Sequence, residues 1–468
     1  MKGIVTIILA AGKGTRMKSD LVKVLHPLLG VPMLTYPVEL SLNGIRAEKT
    51  LVVIGHQAER IQERFKGFPV QFVLQAEQLG TGHAVLQASP LLKSFDGTVL
   101  ILYGDVPLVR VDTVRSFIDD FLSRGSTVSV MTTVMEDPFG YGRILRDREG
   151  WIERIVEEKD ATQEERRCRE INTGIFCVQA PFLIEGLKEI GQDNAQKEYY
   201  LTDLVEIARK RVLRCSPFPV TDPIEVMGIN TRIDLATAYD VLRQEKLRTL
   251  MLSGVTIIDP KTTHVDRMVE VGKDSVLFPN CFLYGKTKIG ERCIIESNSK
   301  ISDSEIGNDV TIRSNSVITE SRMEDGVIIG PFAHLRPLTE IRTNARIGNF
   351  VEVKKSVIGK GTKANHLTYI GDSFVGEEAN IGAGTITCNY DGFEKHSTII
   401  GDRVFVGSNV ELVAPVKVGN NATIGAGTTV THDVPAGALA ISRTKQKNLR
   451  GWDKKVKLRR RKNKKGNH

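Results

Sequence analysis

The residues of this sequence that can do chemistry on a phosphate stand in three short polar segments, each directly behind an apolar run. The first is Leu9-Ala-Ala-Gly-Lys-Gly-Thr-Arg-Met17, which contains Ala10, Ala11, Gly12 and Arg16 and is followed by Lys23. Glycines let a backbone turn approach phosphates closely, and free N–H groups there bind anions. Arg16 and Lys23 add fixed positive charge. The segment is not a Walker loop, because no Gly-Lys-Ser/Thr closes it, and it lacks the third glycine of a dinucleotide fingerprint. By spacing alone it is equally a plain strand–helix turn. The second segment, Gln75-Ala-Glu-Gln-Leu-Gly-Thr-Gly-His83, sets amide side chains beside a small-residue loop, which suits a base or ribose pocket or simply a turn. The third is Tyr103-Gly-Asp105-Val-Pro107. A carboxylate at the C-terminal tip of a strand is placed to hold Mg²⁺, which takes oxygen ligands from protein and substrate phosphates together. The alternative reading of Asp105 is a helix N-cap.

Chemistry of another kind gathers further along. Asn365-His-Leu-Thr-Tyr369 offers a histidine and a tyrosine, and Cys388-Asn-Tyr-Asp-Gly392 projects polar side chains from a stretch, Thr387–Ser397, that breaks a regular repeat. A histidine suits proton transfer near neutral pH because its ordinary pKa is about 6.5. At a repeat corner it is more often a surface residue.

Two kinds of element must position these groups. In the first half, Ile4–Leu9, Thr50–Ile54, Val70–Leu74, Thr98–Leu102, Thr127–Val134 and Gly174–Val178 are short continuous apolar runs. Such runs predict strands covered on both faces, and their alternation with helical stretches predicts βαβ units in a parallel sheet. Ligands of such sheets sit beyond the carboxyl ends of the strands, where the three polar segments fall.

The second half repeats every six residues. Ile329, Leu335, Ile341, Ile347 and Val353 keep strict intervals; after a slip Ile358, Ala364 and Ile370 resume; Val375 and Ile381 follow a second slip. A third register holds Ile400, Val406, Leu412, Val418, Ile424 and Val430. Neither the strand nor the helix period explains this. A β-solenoid does, with each hexapeptide forming one short side and the aliphatic pointing inward. Between the halves, Leu235, Tyr239, Leu242, Leu247 and Leu250 fall at helical offsets, so residues 231–251 read as a linking helix capped by Asn230 or Thr231.

The chain has 468 residues, enough for at least two domains. Its net charge of +8 is uneven: residues 449–468 hold ten Lys and Arg against Asp453, a local +9, which leaves about −1 for the rest. The basic end reads as a solvated disordered tail, with contact to an anionic surface such as nucleic acid or membrane as the minor alternative. Six cysteines show no metal-binding spacing and read as reduced thiols of a reducing, cytoplasmic compartment. Lys2 and Gly3–Ala11 resemble the start of a signal peptide, but the glycine loop follows at once, so a buried first strand is expected instead. No stretch reaches the length of a membrane span.

Leu9–Met17, Lys23, Gln75–His83 and Tyr103–Asp105 together resemble the sugar-1-phosphate nucleotidyltransferases, and Tyr141-Gly-Arg-Ile144, Ile155-Val-Glu157, Ile171-Asn-Thr-Gly174 and Gly228-Ile-Asn230 continue the pattern in order. The hexapeptides resemble those of the left-handed parallel β-helix acyltransferases, which usually work as trimers. Gly348-Asn-Phe-Val-Glu-Val-Lys354, His366-Leu-Thr-Tyr369 and Asn380–Gly392 carry the resemblance further, to the bifunctional bacterial uridyltransferase/acetyltransferases that make UDP-N-acetylglucosamine. The implied fold is an α/β Rossmann-like nucleotidyltransferase domain over residues 1–230, with a mostly parallel sheet, then the linking helix and a left-handed parallel β-helix over 252–448.

That resemblance also implies roles. Leu9, Ala10, Ala11, Gly12, Gln75, Gly80, Thr81 and Gly82 would bind the uridine nucleotide, with Arg16 and Lys23 on its phosphates and Tyr103 and Gly104 beside Asp105. Gly142, Glu157 and Asn172 would bind N-acetylglucosamine, and Asp105 and Asn230 would hold Mg²⁺. In the second half His366 would be the catalytic base, and Arg336, Lys354, Tyr369 and Asn380 would bind the sugar phosphate. Asn389 and Tyr390 would line the acetyl site, while Ala383, Ser408, Ala426 and Arg443 would contact acetyl-coenzyme A. One departure is Val22, where the family usually has proline before the lysine; it puts only the loop's stiffness in question. A solenoid that only regulates or oligomerises does not need His366, Lys354 or the Asn389-Tyr390 loop, and a non-catalytic sensor does not need Asp105, Lys23 and Asn230.

Overall fold

A computed structural model describes residues 3–442 and 444–465. The chain divides into two compact units at Lys246/Leu247.

The six apolar runs of the first unit fall in one nine-stranded sheet, to which three further strands contribute. Its strands are β1 (Ile4–Ala10), β2 (Lys49–Ile54), β3 (Gln71–Leu74), β4 (Thr98–Tyr103), β5 (Val128–Val134), β6 (Arg143–Arg146), β7 (Ile152–Val156), β8 (Glu170–Gln179) and β9 (Cys215–Val220). The order is β9-β5-β8-β4-β1-β2-β3, with β6 joined to β8 and β7. Both faces of β1 are buried: Val5, Ile7 and Leu9 enter one core layer, Ile8 and Ala10 the other. That is the two-residue alternation of a strand covered by helices on both sides.

Strand β8 departs from the expectation of a further parallel strand. It runs antiparallel to both β4 and β5, with a bulge between Asn172 and Phe176. The physical reason is its connection: the chain reaches it from the antiparallel β6–β7 pair, without a crossover helix between. The remaining long pairs, β1–β2, β1–β4, β2–β3 and β9–β5, are parallel. Their register aligns Ala10 with Ile54, Ile54 with Leu74, and Leu9 with Tyr103. The carboxyl ends of β1, β3 and β4 therefore open on one side.

The segment expected as a linking helix over 231–251 is the helix Arg232–Leu252. Ala238 is buried with Leu28, Met33, Leu108 and Ile229, so most of the helix belongs to the first unit. Its last residues, Leu247 and Leu250, are buried with Val255 and Ile257 at the start of the second.

The second unit is a parallel β-helix. Strands pair with those one coil away, as Val276 with Ile294 and Ile294 with Thr311. The hexad aliphatics from Ile329 to Val430 all lie in its buried core. The slips in the six-residue period are shortened sides: Ile341 pairs with Ile358 and Ile358 with Val375, so the aliphatic column continues across them. The corners use the left-handed backbone region, commonly at Asn or Asp (Asn280, Asp309, Asn344, Asn421).

The basic end is a helix, Trp452–Lys465, where composition predicted disorder. Lys, Arg and Leu are good helix formers, Asp453 stands in the first turn, and Lys457 pairs with it across one turn at 2.7 Å. Trp452 and Leu458 remain exposed, so propensity rather than packing makes this helix.

Candidate functional site

The aligned ends of β1, β3 and β4 enclose a cavity of about 280 Å³. Leu9, Ala10, Ala11, Gly12, Lys23, Gln75, Gly80, Thr81, Tyr103 and Asp105 line it. A roomier open groove of about 520 Å³ beside the helix Ala58–Arg64 contains none of these. The Gln75–His83 loop is braced by the segment that follows Glu198. Gly82 N–H donates to the Tyr199 carbonyl at 2.8 Å, Tyr199 N–H to Leu79 O at 2.8 Å, and Leu201 N–H to Thr81 Oγ1 at 3.1 Å. Gly80 has φ +112°, and a Cβ there would stand 2.6 Å from Tyr199 O, so no other residue fits. Gly82 thus backs the cavity from behind, and Gly104 ties two strands by donating to Leu9 O at 2.9 Å.

Charged groups distant in sequence meet at Asp105. The Lys23 ammonium is ion-paired with the Asp105 carboxylate and lies 3.2 Å from Asn230 Oδ1, which also accepts from Arg16 Nη2 at 2.8 Å. Ile229 N–H donates to Asp105 O at 2.9 Å and so fixes Asn230 beside Asp105. Asp234 Oδ2 accepts from the Asn230 and Thr231 N–H groups, which caps the following helix. The two side-chain oxygens of Asp105 and Asn230 thus already share one cation, the Lys23 ammonium, and a hard oxygen pair of this kind fits a divalent ion completed by phosphate and water. Among the described residues no group of three or more His, Cys, Asp or Glu side chains stands ready to hold a metal alone.

On another side Glu157 Oε1 accepts from Thr202 Oγ1 at 3.3 Å, and a Cβ on Gly142 would stand 3.3 Å from Glu157 Oε2. Asn172 N–H donates to Gly142 O at 2.8 Å, and Asn172 Oδ1 accepts from Gly174 N–H at 2.8 Å. Gly174, at φ +84°, packs on Tyr103, whose ring a Cβ would meet at 2.7 Å. Gly142, Glu157, Asn172 and Tyr103 are thereby linked. Burial holds the Glu157 carboxyl above its usual range, helped by Asp160, Asp203 and Glu198. Loss of solvent likewise raises the Tyr103 phenol, with Glu157 and Asp105 adding to it.

In the solenoid the sequence-predicted residues fall on two corners. Asn349 and His366 are register partners on adjacent coils, and Asn349 Oδ1 lies 2.7 Å from His366 Nδ1. An amide oxygen only accepts, so Nδ1 carries the hydrogen and Nε2 keeps its lone pair. The same corner continues upward: Gly384 N–H donates to Leu367 O at 2.9 Å, Asn409 to Ala383 at 2.8 Å and Gly427 to Ser408 at 2.9 Å. His366, Ala383, Ser408 and Ala426 therefore form a ladder, one per coil. Phe332, Phe350 and Leu367 occupy its left-handed positions at φ +55°, +58° and +45°, where asparagine would be at ease.

At a second corner Asp372 is a hub. It pairs with Lys354 Nζ at 3.6 Å and Lys355 Nζ at 3.5 Å and accepts from Asn389 Nδ2 at 2.6 Å. Asn389 also reaches the Tyr369 hydroxyl at 3.5 Å, and Arg336 lies in the same field, bonded to Glu352 at 2.8 Å. Lys395 joins them: contact with Lys354 holds its ammonium below the ordinary range. Asn380 begins the Asn380–Ile381 strand and is the register partner of Lys363 on one neighbouring coil and Phe405 on the other. Tyr390 is exposed, its hydroxyl donating to Gly392 O at 2.6 Å. Arg443 lies outside the described residues.

Comparison with known proteins bears on both units. Residues 6–167 match the profile of the MobA-like NTP transferase domain, and residues 287–320 and 397–432 match that of the bacterial transferase hexapeptide. Bifunctional protein GlmU of Pelobacter propionicus is 53% identical over 98% of this chain and 99% of its own length. The GlmU of Geotalea uraniireducens is 52% identical over 98% and 100%, and that of Caldanaerobacter subterraneus subsp. tengcongensis 49% over 97% and 98%. The chain belongs to the GlmU family. It is accordingly a bifunctional transferase of UDP-N-acetylglucosamine synthesis, an acetyltransferase acting on glucosamine-1-phosphate and a uridyltransferase acting on the acetylated sugar phosphate. Its repeats are the left-handed β-helix type, and its nucleotidyltransferase half belongs to a family that uses a divalent metal. Among the described residues no helix is long and apolar enough to cross a membrane.

Sequence reasoning missed Glu198, which lines the cavity, and Asn349, Asp372 and Lys395 in the solenoid. Lys395 had a signal, since it lies in the stretch that interrupts the hexads.

Proposed function

We propose that GlmU chemistry is divided here between the cavity and the solenoid corners as follows. Acetylation comes first, on the solenoid. His366 Nε2 takes a proton from the ammonium of glucosamine-1-phosphate, and the freed amine attacks the thioester carbonyl of acetyl-coenzyme A. The C–S bond breaks, and coenzyme A leaves as its thiol once protonated. Asn349 holds the tautomer that frees Nε2. Arg336, Lys354, Tyr369 and Asn380 grip the sugar phosphate, and Lys395 adds a further positive charge. Asn389 and Tyr390 line the acetyl group; Ala383, Ser408, Ala426 and Arg443 follow the coenzyme. Transfer is direct and needs no cysteine nucleophile: burial raises the thiol of Cys388, the one cysteine of the 387–397 stretch, and Cys281 and Cys293 are enclosed in the solenoid core.

In the second step an oxygen of N-acetylglucosamine-1-phosphate attacks the α-phosphorus of UTP, and pyrophosphate leaves. Leu9–Gly12, Gln75 and Gly80–Gly82 bind the nucleotide, Arg16 and Lys23 hold its phosphates, and Gly142, Glu157 and Asn172 orient the sugar. Asp105 and Asn230 would hold Mg²⁺, which supplies positive charge against the phosphates. The enzyme works in the cytoplasm as a homotrimer on small-molecule substrates, without nucleic acid or membrane.

One observation carries the reading: Arg16, Lys23, Asp105 and Asn230, far apart in sequence, share a single hydrogen-bonded cluster, of which Lys23 and Asp105 line the cavity. The test is a mass-spectrometric assay with glucosamine-1-phosphate, acetyl-coenzyme A, UTP and Mg²⁺, omitting one at a time. UDP-N-acetylglucosamine should form only with all four, and the acetylated sugar phosphate should accumulate without UTP. Conversion of supplied N-acetylglucosamine-1-phosphate alone would reduce the solenoid to a scaffold.

A further inference from the structure

Gln75 is buried at the cavity wall, 3% exposed, so its amide has little freedom to turn. Its Nε2 stands 3.1 Å from the Gly80 carbonyl. A carbonyl oxygen cannot donate, so the amide nitrogen, not the oxygen, must face Gly80. The same Nε2 lies 3.1 Å from Nδ1 of His83. One amide hydrogen serves Gly80; the second is satisfied only if Nδ1 accepts, which leaves the hydrogen of a neutral ring on Nε2. That nitrogen stands 3.0 Å from Nε2 of Gln87, and because two donors cannot pair, this tautomer requires the Gln87 amide to turn its oxygen to the ring N–H; the ring stacks on Tyr199 at 6.0 Å between centroids. His83 is therefore held on three sides, and both hydrogens of Gln75 are spent inside the protein. What Gln75 has left for a ligand is Oε1, an acceptor with no hydrogen-bond donor beside it among the described residues.

We propose that His83 is a specificity-determining positioning residue for the nucleobase, because it fixes the Gln75 amide so that the pocket shows the base an acceptor only. The inference rests on the reading of this cavity as the UTP site. A base with a ring N–H, as uracil and thymine have at N3, finds a partner there. Cytosine presents a lone pair at N3 and meets Oε1 with like polarity. Were His83 replaced by a ring without an accepting nitrogen, Gln75 would lose one of the two bonds that orient it, and a half-turn of the amide would offer N–H to cytosine. Discrimination by a buried polar group of this kind is large because the wrong partner leaves it unpaired.

The experiment measures kcat/KM for UTP, dTTP and CTP, with N-acetylglucosamine-1-phosphate as acceptor, in the full-length wild type, His83→Phe and His83→Asn. Phenylalanine keeps a ring against Tyr199 without an acceptor; asparagine can return an accepting oxygen near the site of Nδ1. The ratio of UTP to CTP should fall about tenfold in His83→Phe, the equivalent of one neutral hydrogen bond. It should recover in His83→Asn, and dTTP should track UTP apart from the sugar. Thermal melts of the same preparations report folding of the first unit. Ring-nitrogen chemical shifts of wild-type His83 give a second check that needs no variant: Nδ1 must be the unprotonated nitrogen. A wild type selective for UTP with an equally selective His83→Phe, or a proton found on Nδ1, overturns the role of His83 alone. A wild type that uses CTP as readily as UTP overturns the cavity assignment itself.

Discussion

The cavity of the first unit and the solenoid corners of the second both collect residues that are scattered in sequence, but by opposite geometries. In the first unit, parallel strands end together, so the segments after β1, β3 and β4 converge on one concave place and touch one another. In the second, each coil contributes one residue to each corner, and the candidate groups form ladders such as His366, Ala383, Ser408 and Ala426. A converging site concentrates charge: Arg16, Lys23 and Asp105 lie within one cluster. A ladder spreads a ligand over several coils, and each rung contributes little except where chemistry happens.

Substitutions can break this contrast or sharpen it. Asp105→Ala should have the largest effect, lowering uridylyl transfer by about a thousandfold or more while leaving acetyl transfer at the wild-type level. Pyrophosphate release and coenzyme A thiol release, read on one preparation, check it; loss of both activities in folded protein would contradict independent sites. His366→Ala should cost acetyl transfer about 10²- to 10⁴-fold and spare uridylylation of supplied N-acetylglucosamine-1-phosphate. Lys395→Ala should raise KM for glucosamine-1-phosphate about tenfold with a smaller change in kcat, the pattern of a lost phosphate contact.

Two smaller effects concern the scaffolds. Arg342 and Thr343 hold the Glu324 carboxyl down at about 2, across adjacent coils. A carboxyl depressed in the folded state stabilises above its unfolded pKa, and that contribution fades as pH falls toward 2. Glu324→Gln should therefore cost roughly 1 kcal/mol near pH 7, discounted because the side chain is 35% exposed, and nothing near pH 2. Denaturant melts at the two pH values would show it. Val22→Pro should change least. Val22 already sits at φ −57° and ψ 138°, a proline-compatible conformation, and gives up only an N–H bond to Gln57 Oε1 at 3.3 Å. Stability should shift by less than about 1 kcal/mol, and the UTP KM should hardly move.

What the sequence revealed depended on whether a physical constraint left a pattern. The inward aliphatics of the solenoid did, because every side must fill the same column; Ile347, Val406 and Ile424 are each fully buried. The small-residue loops were also visible, since only such residues permit close backbone approach at Gly80. The direction of β8 was not, because a strand buried on both faces reads the same in either direction. Asp372 was hidden for a different reason, and Lys395 was marked only by lying in the stretch that breaks the hexads. Their importance comes from register between coils and from the fold of an irregular loop, neither of which has a period. The terminal helix was missed because a run of lysine and arginine is compatible with helix and coil alike.

The excursion Thr387–Ser397 adds chain without adding a coil, for Val375 still pairs directly with Ile400 across it. Height along the solenoid is thus uncoupled from chain length. Adjacent strands are separated by about 4.8 Å, so the three steps from His366 to Ala426 span roughly 14 Å however much sequence is inserted between them. On the proposed reading the solenoid would serve as a ruler for an extended carrier arm, with the reacting thioester at one graduation and the far end of the carrier at another. Removing one whole coil would shorten the ruler by one division; lengthening a loop would leave the scale unchanged.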